Sequence, residues 1–270
     1  MTIITISRGS YSMGKAVAER VAERLGYECL SRDVLLEASD QFNIEEIKLE
    51  QAIKDAPSIL ERFTQGKHSY IAYIQSALTR HVCRDNVVYH GLAGHLLLGE
   101  VPHVLKVRII ADPELRMKVV MDREKLNRRE AGAWIGKLDR ARSKWGRSLY
   151  GVEPGDPALF DLLLNVPRYE VDDATELICR SAEMKQFKTT PDSQQQMEDL
   201  ALACRVKATL VERHSDVSVA SKYGNVLIYC DAGDRYARKL KASAEELCGS
   251  IEGVNNIEVH CGVTPPDSAV

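Results

Sequence analysis

The order of apolar segments predicts an α/β protein with a parallel sheet, followed by a small α+β unit of order αββαβ. Two observations carry the first part. The β-branched run Thr2–Ser7 breaks into a glycine-containing stretch and then a helix with Val17, Val21 and Leu25 on one face. Short apolar runs afterwards alternate with helical patterns, as parallel sheets require. A third observation carries the rest. Beyond the polar stretch Phe187–Gln196, which holds Pro191, a fresh pattern of two helix faces and three strand-like runs begins.

In order, the first strand is Thr2–Ser7, and Gly26 closes the first helix. Tyr27–Leu30 is a short apolar stretch that ends in Ser31-Arg32-Asp33. Several helices follow up to Cys83, the clearest marked by Tyr70, Ile74, Leu78 and His81. Val87–His90 and Val104–Ala111 read as strands, and Asp112-Pro113 opens another helix. A long polar helical segment then runs as far as Gly151. Phe160–Asn165 is the last apolar segment of this part, and Val171–Ala182 its closing helix. In the small unit, Met197, Leu200, Cys204, Ala208 and Val211 fall at helical spacing. Strands at Val217–Ser221 and Val226–Cys230 flank a Tyr223-Gly224-Asn225 turn. A second helix carries Tyr236, Leu240, Ala244, Leu247 and Ile251, and Ile257–His260 is the last strand. The expected organisation is a domain at 1–186, a linker at 187–196, a small domain at 197–263 and a tail at 264–270.

Composition is that of an ordinary globular chain: 270 residues, 44% hydrophobic and 28% charged. A formal net charge of −3 gives no general attraction to nucleic acid or to anionic membranes. Arg116–Arg147 nevertheless holds eleven Lys or Arg against four Asp or Glu, a local patch suited to a small anionic ligand. The seven cysteines include no CxxC pair, so reduced thiols and a cytoplasmic location are expected. No apolar run reaches membrane-spanning length, and neither nucleic acid nor a membrane is expected as a partner.

Gly9-Ser10-Tyr11-Ser12-Met13-Gly14-Lys15 fits G-x-x-x-x-G-K, the first seven positions of a P-loop, between a buried strand and an amphipathic helix. Glycines let several backbone N–H groups turn inward around a phosphate, and the helix adds its positive end. Lys15 supplies a point charge for the terminal phosphates. Position 16 is Ala, so the hydroxyl that ordinarily holds Mg²⁺ is missing while phosphate binding survives. Gly9 to Ala16 is thus the expected cradle for a nucleotide.

The sequence resembles the cytidylate kinase-like family of P-loop kinases over residues 1–185. The likeness rests on ITISRGSYSMGKAVAERVAERLGYECLSRDVL, VLKVRIIADPELRMKVVMDRE, AGAWIGKLDRARSKWGRSLYG and FDLLLNVPRYEVDDATELI, in that order. The resemblance implies a three-layer α/β/α fold, ATP with Mg²⁺, and transfer of the γ-phosphoryl group to a nucleotide acceptor. Lys15 would be the phosphate-binding lysine, and Arg140 and Arg142 would match lid arginines. Where the family commonly shows a Gly-Arg pair, this chain reads Tyr89-His90-Gly91-Leu92. The segment from Gln196 to Val263 is similar to a BON-type domain in element order and in its GVNNIEV ending, which implies a protein or small ligand for it.

Asp33 follows a short strand expected beside the loop strand; it holds a metal-bound water, accepts the acceptor hydroxyl's proton, or caps the helix beginning at Val34. Arg32 and Arg116 are further candidates for the acceptor, and Arg147 for the phosphate clamp. Arg140 and Arg142 stand two apart and would not share a face of a straight helix. His90 and His95, five apart with no third ligand in view, read as packed or surface histidines and not a metal pair. The leading expectation is ATP-dependent phosphoryl transfer to a nucleoside monophosphate, cytidylate-like, or a similar small anionic acceptor. The alternative is a nucleotide-binding regulator with little turnover that signals through its C-terminal unit. Self-association is compatible with either.

Overall fold

The computed structural model describes residues 2–8, 13–31, 33–42, 66–91, 93–99, 101–166, 168–231 and 233–270. The expected helices between residues 43 and 65 lie outside them.

Strand β1 (Ile3–Arg8) leads to helix α1 (Gly14–Leu25), β2 (Glu28–Leu30) and α2 (Asp33–Phe42). Then come α3 (Gly66–Val82), β3 (Val87–Tyr89), the short α4 (Gly94–Leu97), β4 (Val104–Ile110), α5 (Pro113–Glu124) and α6 (Arg128–Tyr150). β5 (Leu162–Asn165) and α7 (Val171–Ala182) complete this part. The five strands lie in the order β2-β3-β1-β4-β5, and every pairing is parallel.

The pleat of β1 assigns its residues to two layers. Ile4 and Ile6 join Leu105, Val107 and Ile109 under α1 and α7, against Val17, Val21, Ala174 and Ile178. Ile3 joins Val87, Tyr89 and Val104 under α2, α3 and α4, against Val34, Leu78 and Leu97. Two helical layers therefore sandwich a parallel sheet, as expected. One expectation fails. β2 does not adjoin the loop strand, because β3 lies between it and β1. Asp33 thus follows an edge strand.

Helices α5 and α6 pack on each other through Val120, Ala131 and Ile135. Asp112 caps α5, with Pro113 in its first turn, and Asn127 and Glu130 form a capping box at the start of α6.

The segment expected as a linker is partly helical. α8 (Pro191–Leu210) begins within it because Thr190 and Ser193 form a capping box and Pro191 suits the first turn. The helical pattern expected from Met197 onward is present, but it faces elsewhere. Met197, Ala208 and Val211 join the core around α3. The other side of α8, through Leu202, Ala203, Val206 and Leu210, covers the small sheet. That sheet comprises β6 (Val217–Lys222), β7 (Asn225–Cys230) and β8 (Asn256–Cys261), with α9 (Asp234–Cys248) before the last strand. β6 and β7 are antiparallel and β7 and β8 parallel, which gives the expected αββαβ order.

One smaller expectation is also corrected. Cys230 and Cys261 face each other in the β7–β8 register and are disulfide-bonded, whereas Cys29, Cys83, Cys179, Cys204 and Cys248 are not in disulfides. In the tail, Val270 exchanges two backbone hydrogen bonds with Val219 of β6, of 2.9 and 3.1 Å. Among the described residues no helix is long and apolar enough to cross a membrane.

Candidate functional site

Parallel α/β sheets bind ligands beyond the carboxyl ends of their strands, and here that end carries the glycine-containing loop. Gly9, Ser10, Tyr11 and Ser12 lie outside the described residues, as does Arg32. The exit of the loop is described. Met13 stands at φ 59°, in the left-handed region, and caps α1 without any side-chain hydrogen bond. For a residue with a Cβ that conformation costs about 1–2 kcal/mol, and such strain clusters at ligand clamps. Gly14 is buried, and Lys15 and Ala16 are exposed. The first turn of α1 has no acidic residue, so its N–H groups and positive end are left for an anion. Lys15 Nζ lies 3.5 Å from Glu19 Oε1, a pair more than half exposed and therefore easily exchanged for a ligand.

The arginines expected to act together do not share a face. Arg140, Ser143, Lys144 and Arg147 line an open cavity of about 480 Å³ along α6, while Arg142 projects from another side of the same unbroken helix. Arg147 pairs with Glu153 at 2.9 Å, and Ser143 donates to the same carboxylate at 2.6 Å. Arg116 is committed elsewhere. Both Asp139 oxygens accept from its Nη2, at 2.8 and 2.9 Å, which ties α5 to α6. Asp33 is the first residue of α2, at the carboxyl end of β2.

A second group of residues gathers at the same end of the sheet, on the layer that holds Ile3 and Tyr89. Arg108 of β4 registers with Ser7 of β1. Its Nη1 donates to Ser7 Oγ at 3.3 Å and to the carbonyl of Pro154 at 3.0 Å, and its guanidinium lies 5.3 Å from the Phe160 ring centre. The Phe160 ring also neighbours His95 of α4, 4.6 Å away. His95 is only 5% exposed. Its burial, and then Arg108 and Lys106, push its pKa down to about 4, so the ring is neutral near pH 7. Burial likewise lowers the pKa of Arg108. Gly94 permits this arrangement, since a Cβ there would meet the Tyr89 ring at 2.5 Å and Thr5 at 3.2 Å. Among the described residues no cluster of three His, Cys, Asp or Glu could hold a metal ion, and His90 and His95 are each 5% exposed.

The profile of the cytidylate kinase-like family matches residues 3–168 of the chain. The chain belongs to the cytidylate kinase-like family. A cytidylate kinase from Methanopyrus kandleri is 31% identical over 101 residues, 35% of this chain and 52% of that protein. The chain thus spans about half the length of this curated relative. An uncharacterised protein from Eubacterium ventriosum shares the fold, with a TM-score of 0.52 and 21% identity over 68% of this chain and all of its own. A shikimate kinase from Bacteroides thetaiotaomicron aligns over 68% of this chain and 99% of its own, at TM-score 0.42 and 11% identity. The three-layer core is the P-loop kinase fold, to which this member of the cytidylate kinase-like family adds the small α8–β8 unit.

The family resemblance pointed to the loop and to α6, but not to Arg108 or Phe160. A signal for Arg108 was present. In VLKVRII the two cations stand two apart within an otherwise apolar strand, so one face of β4 carries both. Nothing in the sequence placed Phe160 against His95, because that contact spans a long stretch of chain.

Proposed function

We propose that this member of the cytidylate kinase-like family catalyses ATP-dependent phosphoryl transfer to a nucleoside monophosphate or a similar small anionic acceptor. The observation that carries the reading is the left-handed Met13 at the open end of α1, with Lys15 one turn-position inside. That arrangement fits the phosphates of ATP: backbone N–H groups at the mouth of the helix, a mobile ammonium beside them and no carboxylate in the turn. Mg²⁺ bound with the nucleotide would neutralise phosphate charge. Ala16 offers it no hydroxyl, so the ion would be held chiefly by the phosphates themselves.

The work of the protein's own residues is then alignment and charge stabilisation. Lys15 steadies the terminal phosphate oxygens. Arg140, with Lys144 and Arg147 on the same face of α6, approaches the transferring group from the lid side, and Arg142 supports that helix from its other side. Asp33, two strands from the loop, takes its part only through the acceptor, whose hydroxyl or sugar it would orient together with Arg32. Arg116 holds α5 and α6 in register through Asp139, a positioning role.

A second reading has support of its own. Ala16 removes a metal ligand, and α8 belongs to both the kinase core and the small sheet. A regulator that binds nucleotide and turns over little would use that helix to report occupancy. We further propose that the small unit is a BON-like module for a protein or small ligand, on the strength of its element order and its GVNNIEV ending.

The test is ADP release from ATP and Mg²⁺ with a panel of nucleoside monophosphates, run beside Lys15→Ala. Turnover with CMP or dCMP is expected, with the variant binding ATP about 10- to 100-fold more weakly. Tight ATP binding with no ADP release across the panel would favour the regulator. Equal ATP affinity in Lys15→Ala would sink both readings.

A further inference from the structure

Arg108 is a cation in an unusual position. It is half-buried on β4, and among the described residues no carboxylate lies within ion-pair distance of it. Its two hydrogen bonds go to a hydroxyl and a backbone carbonyl, both from Nη1. Desolvated charges ordinarily find a counter-ion. The nearby carboxylates are spent: Asp139 on Arg116, and Glu153 on Arg147 and Ser143. Next to it stands a second anomaly. Neither ring nitrogen of His95 has a hydrogen-bond partner, although the residue is nine-tenths buried and more; Thr5 Oγ1, on the same layer of β1, also lacks one. A buried polar atom without a partner costs about 1–3 kcal/mol. Arg108 and His95 share the Phe160 ring and lie towards the end of the sheet where β1 passes into the loop.

We propose that Arg108 and His95 form the acceptor end of the site, with Arg108 binding the acceptor's anionic group and His95 hydrogen-bonding a neutral polar group of the same molecule. The inference rests on the kinase reading and narrows its substrate class to molecules that carry both an anion and a hydroxyl or amide within reach of each other, as a nucleoside monophosphate does. It also supplies a cation where Tyr89–Leu92 has none. A neutral imidazole suits this task, since it offers one donor and one acceptor without competing with Arg108 for the anion. Phe160 sets the spacing by packing against both. Arg108 remains tied to Ser7 and Pro154 through Nη1, which leaves Nε and Nη2 to grip an oxyanion.

The test is equilibrium binding of CMP and, separately, of ATP to the full chain, by titration calorimetry, for wild type, Arg108→Met, Arg108→Lys and His95→Phe. Thermal melts followed by circular dichroism check each fold. CMP affinity is expected to fall about 10- to 100-fold in Arg108→Met and about three- to tenfold in His95→Phe. Arg108→Lys keeps the charge without the planar fork and should fall between Arg108→Met and wild type. ATP affinity stays unchanged throughout. A purely structural Arg108 would weaken both ligands together, and that result overturns the inference. So does a folded variant of either residue that binds CMP as tightly as wild type, while the kinase reading then stands. Wild type that binds ATP but no nucleoside monophosphate, and turns none over, overturns the kinase reading and this inference with it.

Discussion

Two oppositely behaved side chains meet at Phe160: a guanidinium that keeps its charge and an imidazole that refuses one. The folded pKa of His95, about 4, lies below its ordinary value of 6.5. Between those limits the unfolded chain binds a proton that the folded chain excludes, so stability falls as pH drops through this window and is fully present above 6.5. His95→Phe should therefore flatten the stability profile between pH 4 and 6.5. Urea midpoints measured at pH 4.5 and 7.5 would show it, with a smaller difference in the variant than in wild type. His103 and His214 have lowered values too, but they persist in both proteins and cancel in the comparison. Of this cluster the sequence revealed the least. The alternation in β4 marks Arg108 as facing the same way as Lys106, yet which ring lies over it depends on a contact with Phe160 that no local pattern encodes. The loop is the opposite case, a motif written in consecutive residues from Gly9 to Lys15, of which Met13, Gly14 and Lys15 are among the described residues.

Helix α8 shows where pattern reading succeeds and where it stops. Spacing alone identified Met197, Leu200, Cys204, Ala208 and Val211 as one apolar face, and they do line up. Their destination was misjudged: they pack on α3, and the small sheet takes the opposite side through Leu202, Val206 and Leu210. A helix apolar on both sides is a buried helix, a conclusion the polar start at Asp192 and Gln194–Gln196 concealed. Met197 is fully buried in the kinase core. Met197→Ala is expected to cost about 2–5 kcal/mol, and a single cooperative urea transition should report the loss through probes in both parts of the chain. Two separate transitions, with only one of them moved, would show that α8 does not join the cores. Strand order was likewise beyond local reading. The place of β2 at the edge, with β3 next to β1, follows from pairings between distant segments, and it moves Asp33 further from the loop than its neighbourhood in sequence suggests.

At the scale of the whole molecule, a chain of net charge −3 concentrates its cations on one long helix. Arg140, Lys144 and Arg147 stand exposed along α6 beside an open cavity, whereas Arg108 waits half-buried at the sheet. These two sets of positive charge answer differently to ionic strength, since screening acts on exposed groups within a Debye length of about 10 Å at 0.1 M salt and far less on enclosed ones. The outer row should govern how fast a polyanion is captured, and the inner guanidinium how tightly the acceptor's anionic group is held. Stopped-flow association of a fluorescent ATP analogue is expected to slow several-fold between 20 and 300 mM KCl while its dissociation rate barely changes. A protein whose overall sign repels its own ligand has, on this geometry, a door that attracts it.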